Sequence, residues 1–240
     1  MNLHEQPMFG IPPIFVICDP KREPNQHAYL ARVFDELDLT RSVTYFQPTY
    51  KDTLTDAEIQ TYFSKPNFVN GRPIKRAEMS IWLNHLYLFQ HILKSYKSGY
   101  FLIFESDVRF EKNPILYFSA LSCVIEQARP DLLSIGSGCD LIHDNVNIED
   151  MNFQIYPESV VRCMDSFLWS YRGIQMFVDY IQWFLKEKGC LDQPVDNFLE
   201  TFLKRNDKPE PFLQLWVWPS LTVQGSQYDF YKSTIQLDEA

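Results

Sequence analysis

The chain has 240 residues, 45% of them apolar and 22% charged, with a formal net charge of −9. These proportions exclude a disordered polypeptide, and a total of 8 glycines excludes collagen-like and glycine-linker architectures. The acidic balance lacks the clustered Lys and Arg that a phosphate backbone requires, so no nucleic-acid partner is expected; a small phosphorylated ligand is compatible if a divalent cation offsets its charge.

The pattern along the chain alternates strands and helices. Ile14 to Cys18 is a short apolar run bounded by prolines and predicts a buried strand. Leu30, Val33, Phe34 and Leu37 share one helical face, which predicts a helix over 26–38, and Ser42 to Phe46 predicts a second strand. Thr55-Asp-Ala-Glu58 is a capping box that opens a short helix, and residues 64–76, with Pro66, Gly71 and Pro73, predict a loop. Residues 77–95 carry the stripe Met79, Trp82, Leu83, Leu86, Phe89 and Leu93 with Ile81, Leu88 and Ile92 beside it, a helix apolar most of the way round and hence buried. Tyr100 to Phe104 predicts a central strand. Asn113-Pro114 caps a helix to about Ala128, and Asp131 to Ile135 predicts another buried strand ending at Gly136-Ser-Gly138. Residues 139–159 lack a period and predict loop. Helices are expected at about 172–188, closed by Gly189, and 194–205, then strands at Leu213 to Val217 and Leu221 to Gln224. No repeat or linker interrupts this order. It describes one α/β domain over 1–240 with a mixed, mostly parallel central sheet.

The five cysteines (Cys18, Cys123, Cys139, Cys163 and Cys190) form no CxxC pair, which argues against a zinc knuckle. Their odd number argues against a fully paired disulfide framework and favours a reducing compartment. The opening segment has neither a basic n-region nor a long apolar run, no stretch approaches the ~20 apolar residues of a membrane span, and there is no Asn-x-Ser/Thr sequon. A soluble cytoplasmic enzyme without a membrane span is the resulting expectation.

The most informative segment is Phe101-Leu-Ile-Phe-Glu105-Ser106-Asp107-Val-Arg109-Phe110-Glu111. Ligands gather outside the carboxyl ends of strands in open α/β sheets. Two carboxylates at i and i+2 of an extended turn point the same way. Glu105 and Asp107 thus suit Mg²⁺ or Mn²⁺ held together with substrate phosphates; the plainer alternative is a solvated acidic turn before the next helix.

FLIFESDVRFEKNP resembles the "LILEDDV" or "LVFEDDLRFE" segment of glycosyltransferase family 25, which includes lipopolysaccharide glycosyltransferases and collagen hydroxylysine galactosyltransferases. The helix segment Lys75-Arg-Ala-Glu78-Met-Ser-Ile-Trp-Leu-Asn84-His85-Leu is similar to the family's "GEIGCxLSH". Arg129-Pro-Asp131-Leu-Leu-Ser-Ile-Gly136 is similar to "WDLIYLG", and Gln193-Pro-Val-Asp196-Asn-Phe-Leu199 to "PVDEFL". Trp218-Pro219 with Gln224 and Ser233-Thr-Ile-Gln236 resembles the closing "yPplv.Q…S.I", and FVICDPKREP fits the opening strand more loosely, with Lys21 and Arg22 nearest to its second Arg. The motifs fall in the family's order over nearly the whole chain. The resemblance implies a GT-A-like (Rossmann-like) fold, a nucleotide-sugar donor, usually a UDP-hexose, and inverting transfer to a hydroxyl of a glycan, lipopolysaccharide or collagen-like hydroxylysine. With no leader or sequon, a bacterial or viral cytoplasmic enzyme fits better than a collagen-modifying one. Three departures stand out. Ser106 replaces the family's middle Asp, Asn84 replaces the Ser before the helix His, and no His follows His143 to act as a third metal ligand, leaving Gln224 or a water for that place.

On this reading Asp107 is the first metal ligand, and Glu105 is the second or binds the donor ribose. Asp196 is the candidate general base, kept ionised by the helix start after Pro194; the plain alternative is an ordinary first-turn carboxylate. His85 is either a hydrogen-bonded core residue or a substrate contact, and Glu78 either steadies its helix start or touches substrate. Ser106 and Gln224 are assigned to the donor site. Gly136 and Gly138 either let backbone approach the donor or turn the chain. Arg109 pairs with phosphate or with Glu111 or Asp107. Trp82 and Trp169 are expected in the core, and burial is the better reading for Trp216 and Trp218 too. Two competing readings are a non-catalytic GT-A-fold sugar- or protein-binding module and a carboxylate–metal phosphohydrolase or nuclease.

Overall fold

Strands whose neighbouring side chains are all apolar must be covered on both faces, and that requirement organises this molecule. The computed structural model describes residues 11–63, 68–69, 72–110, 114–136, 154–157, 161, 163–218 and 220–226. In chain order the elements are β1 (Ile14–Ile17), α1 (Pro24–Glu36), β2 (Val43–Phe46), α2 (Asp56–Phe63), β3 (Phe68–Val69), β4 (Arg72–Pro73), α3 (Arg76–Ser95), β5 (Tyr100–Glu105) and β6 (Val108–Phe110). There follow α4 (Pro114–Ala128), β7 (Leu132–Ser134), β8 (Gln154–Pro157), β9 (Ser166–Ser170), α5 (Tyr171–Lys188), α6 (Val195–Leu203), β10 (Gln214–Trp218) and β11 (Thr222–Gln224).

Seven strands form one sheet in the order β2-β1-β5-β9-β7-β10-β8. β2, β1, β5, β7 and β10 run one way; β9, wedged between β5 and β7, and β8, at the edge, run the other. The fold is therefore α/β with a mixed sheet in which most strands share one direction, as the sequence predicts. Two strands depart from that expectation. β8 lies inside the stretch read as loop, and β9 has no counterpart in the sequence reading although it sits at the centre of the sheet. The 64–76 loop contains the β3–β4 hairpin. The strand expected over 221–224 does not join the main sheet; as β11 it pairs antiparallel with β6 in a separate ribbon.

Alternate side chains feed two cores, one on each face. Phe15, Phe101, Ile103, Phe167 and Trp169 point toward α3, α5 and α6, whose Trp82, Phe89, Phe177, Phe198 and Phe202 complete an aromatic cluster. Ile14, Val16, Leu102, Phe104, Leu133 and Leu168 point the other way, toward Leu30 and Phe34 of α1 and Phe118, Leu121 and Val124 of α4. Trp82 and Trp169 are fully buried, as expected, and Trp216 is buried too. The nearly all-round apolar character of α3 is explained by its place in the thickest part of this layer.

Polar residues fix the ends of elements. Thr55 and Glu58 form the expected capping box, with the Thr55 N–H donating to Glu58 (2.9 Å) and the Glu58 N–H donating to Thr55 Oγ1 (3.2 Å). Ser170 caps α5 by accepting from the Gly173 N–H (2.8 Å), and Gly189 closes that helix at φ 81°, a left-handed conformation that suits glycine. Asp131 is buried at the head of β7. It accepts from Arg172 Nε (3.0 Å), Arg172 Nη2, Ser170 Oγ (3.2 Å) and the Leu213 N–H (2.9 Å), so one carboxylate ties β7 to α5 and to the lead-in of β10.

Cys163 forms a disulfide, whereas Cys18, Cys123 and Cys190 are thiols. An odd cysteine count excludes a fully paired framework but not a single pair. No helix among the described residues is long and apolar enough to cross a membrane.

Candidate functional site

The register of three parallel strands sets the site. Ile17 at the end of β1 lies opposite Phe46 of β2 on one side and Glu105 of β5 on the other. The loops that follow, 18–23, 47–52 and 105–107, therefore leave the sheet side by side. β2 and β5 flank β1 on opposite sides, so the chain reverses its path across the sheet here, and a crevice opens at the carboxyl ends. Antiparallel β9 delivers its start to the same edge. The Glu105 N–H donates to the Asp165 carbonyl (2.8 Å), and the Ile135 N–H donates to the Ser166 carbonyl (3.2 Å).

A cleft of about 420 Å³ occupies this edge. Its floor is Ile17 with Glu105, Ser106 and Asp107. One wall is Arg22, Glu23 and Gln26, the second is residues 48–52, and the third is the α3 stripe Ala77, Ser80, Ile81 and Asn84. Gln224 and Ser226 close the remaining side. β11 brings them there by pairing Gln224 with Val108, and the Gly225 N–H donates to the Asp107 carbonyl (2.7 Å).

Glu105 and Asp107 both line this space, and their surroundings differ. Glu105 Oε1 lies 3.1 Å from Nε2 of His85, which is 1% exposed. The carboxylate can only accept, so Nε2 carries the hydrogen, and His85 Nδ1 is buried with no hydrogen-bond partner among the described residues. Asp107 is pushed above the usual carboxylate range by burial and then by the Glu105 charge, while the hydroxyl and N–H of Ser226 pull it down. Ser106 does not face a ligand as an acid would. Its hydroxyl donates to Glu23 Oε1 (2.5 Å).

A third carboxylate stands behind these two. Asp165 is 2% exposed, and burial, reinforced by Glu105 and Asp107, pushes it up to about 8. It packs flush against Gly136, where a Cβ would meet Asp165 Oδ2 at 2.2 Å. Gly136 therefore makes room for a buried carboxyl group, and Gly136 is not among the cleft-lining residues. Gly138 lies outside the described residues.

Asp196 sits in the first turn of α6 and accepts from the Asn197 N–H (2.9 Å). The sequence predicts a lowered, fully ionised carboxylate; burial instead raises it to about 6, with small contributions from Glu105 and Glu78. Loss of water outweighs the helix dipole here. Glu78 caps α3 by accepting from the Lys75 N–H (2.8 Å) and is buried just behind the third wall. The Arg109 guanidinium stacks on Tyr29, 3.9 Å from the ring centre, while Glu111, one of its expected partners, lies outside the described residues.

Of the residues singled out from sequence, Glu105, Ser106, Asp107 and Gln224 line the cleft together. His85, Glu78 and Asp196 are not among the residues that line it. The sequence reading passed over Glu23, Tyr50 and Asp165 entirely. Glu23 accepts from Ser106, from Tyr50 Oη (2.8 Å) and from the Asp19 N–H (3.1 Å), so it ties the first wall to the second and to the floor. Arg22 lines the cleft with its guanidinium 4.5 Å from the Tyr50 ring centre and its Nη1 bonded to Asp52 (2.8 Å). The rule that flagged residues after β5, applied to Asp19-Pro-Lys-Arg-Glu23 after β1, points to this wall.

The chain matches no model of a known protein family and no curated protein. Among the described residues no three His, Cys, Asp or Glu side chains are grouped to hold a metal ion. A Glu105–Asp107 pair still fits Mg²⁺ or Mn²⁺, which keep several waters and bind through one or two carboxylates plus substrate phosphates. Charge supports that fit: the cleft offers Glu23, Asp52, Glu105 and Asp107 against Arg22 and Lys51.

Proposed function

We propose that the chain is a metal-dependent glycosyltransferase of GT-A-like fold that takes a nucleotide-sugar donor, a UDP-hexose, and moves the hexose with inversion to a hydroxyl of a glycan, lipopolysaccharide or collagen-like hydroxylysine. The observation that carries this reading is the Glu105–Asp107 turn on the floor of a cleft at the carboxyl ends of β1 and β5. Around it, the strand order, the order of the motifs and the cleft volume all suit a nucleotide with a sugar attached.

Glu105 and Asp107 would hold Mn²⁺ or Mg²⁺, which when bound would supply Lewis-acid neutralisation of the donor diphosphate and of the charge it gains as the leaving group. His85 steadies the Glu105 carboxylate, and Glu23 accepts from the hydroxyl of Ser106 between the two acids. Asp196 takes the proton of the acceptor hydroxyl as its oxygen bonds to the anomeric carbon and the carbon–phosphate-oxygen bond breaks. A carboxyl raised to about 6 is better matched to that role near neutral pH than an unperturbed one.

Incubation with UDP- and GDP-sugars, with and without Mn²⁺, tests the reading through nucleotide release. Release that requires Mn²⁺ and is lost in Asp107→Asn is the expected result. No turnover of any donor, with saturable sugar binding retained, would instead favour a non-catalytic binding module; hydrolysis of a simple phosphate ester lacking a nucleotide would favour a phosphohydrolase.

A further inference from the structure

Asn84 is 8% exposed, yet it lines the cleft. The Thr49 backbone N–H donates to its Oδ1 at 2.6 Å. A backbone N–H can only donate, so this bond settles which end of the amide is which and leaves the two N–H donors of Nδ2 on the cleft side. Nothing among the described residues accepts from them. With its oxygen held by Thr49, the amide presents its two donors to the cleft in a set orientation, and an acceptor on a bound ligand would meet them without rearrangement.

The surroundings say what kind of acceptor. Ala77, Ser80, Ile81 and Asn84 stand at i, i+3, i+4 and i+7 of α3, one stripe facing the cleft, and Ile17 and Pro48 face the same space. Ser80 already donates its hydroxyl hydrogen to the Ala77 carbonyl (2.8 Å). An apolar slot with one fixed donor pair suits a neutral ring carrying an oxygen acceptor, whereas the diphosphate belongs with the charged groups on the floor and on the Arg22 side.

We propose that Asn84 is a specificity-determining residue of the cleft, its Nδ2 donating to a carbonyl or hydroxyl oxygen on the uncharged ring of the bound nucleotide sugar. This inference rests on the nucleotide-sugar reading and adds a chemical rule to it: ligands that present a donor at this point are rejected.

Asn84→Asp separates the two ends of the side chain. It keeps an oxygen to accept from Thr49 and replaces the donor end by an acceptor of the same shape. Calorimetric titration with UDP and with UDP-hexoses in the presence of Mn²⁺ reads the effect, with Asn84→Leu as the uncharged control, which also lacks the donor pair but brings no negative charge toward the diphosphate. Wild-type thermal stability in Asn84→Asp, with affinity weakened about tenfold or more in both variants, is the expected result. A loss already present with UDP places the acceptor on the nucleoside; a loss confined to UDP-hexoses places it on the sugar. Affinity equal to wild type, or a loss in Asn84→Asp that Asn84→Leu does not share, would overturn the inference and leave the nucleotide-sugar reading standing. Absence of wild-type binding would overturn both. If the variant does not fold, the side-chain amide resonances of Asn84 in the ¹⁵N-labelled wild type decide the matter: they shift on UDP or UDP-hexose addition if the inference holds and stay fixed if it does not.

Discussion

Asp165 and Asp196 show at the scale of single residues how burial decides chemistry in this site. Asp196 is raised to about 6, so it loses its proton in the range where a base is useful. Turnover should therefore rise with pH through about 6 and level off above it, and Asp196→Asn should lower kcat by about 10²–10⁴ with donor affinity little changed. An unchanged kcat, or a pH profile the substitution does not alter, would remove Asp196 from the reaction. Asp165 is raised to about 8 in the folded chain, against about 3.9 when unfolded. A group with a raised folded pKa contributes its full stabilisation below the unfolded value and loses it as pH climbs through the folded one. Without divalent cations the protein should become less stable between about pH 4 and about pH 8, by an amount on the order of several kcal/mol. Denaturant titrations of Asp165→Asn should show a flatter profile and a gain over wild type at the alkaline end; equal slopes would show that Asp165 is not the group responsible.

Between elements, the junction of β9 and α5 carries much of the stability. Trp169 lies fully buried against Phe89 and Phe177, with ring centres 5.2 and 5.7 Å away. Trp169→Ala should cost about 3–5 kcal/mol in urea unfolding, whereas Ser170→Ala removes the α5 cap and one of the four hydrogen bonds to Asp131 and should cost about 1–2 kcal/mol. Comparable costs for the two would contradict this division between core and cap. Gly173 is required one turn further on, where a Cβ would meet the Asp131 carbonyl oxygen at 2.4 Å, a backbone atom that cannot swing aside. The same junction marks the limit of what the sequence discloses. α3 is legible because its twenty residues repeat an apolar stripe over several turns. β9 is five residues long, with serines at both ends of Phe-Leu-Trp, and nothing in so short a run separates a central strand from a loop. α1 begins two residues earlier than its apolar periodicity indicates, because Pro24 occupies the first turn where a proline costs nothing.

Over the whole molecule, the sheet turns scattered residues into one site. Positions 105–107 are readable in advance because two acids follow an apolar strand, and the general rule for α/β sheets says where such acids go. The same rule points to the loop that carries Glu23, but not to the bonds that Glu23, Asp165 and Asn84 make. Their importance comes from long-range contacts: Glu23 meets Ser106 across 83 positions of sequence, and Thr49 meets Asn84 across 35. Asp196 is legible as a position but not as a chemical state, since its pKa depends on burial that only the folded chain creates. The central claim is that a divalent cation held by Glu105 and Asp107 grips the diphosphate of the donor. Calorimetric titration of UDP into the wild type and into Asp107→Asn, with Mn²⁺ and with chelator, tests it most directly. Saturable binding by the wild type that needs Mn²⁺ and is lost in the variant is the expected result; UDP binding that is indifferent to the metal or to Asp107, or no binding under any condition, would contradict it.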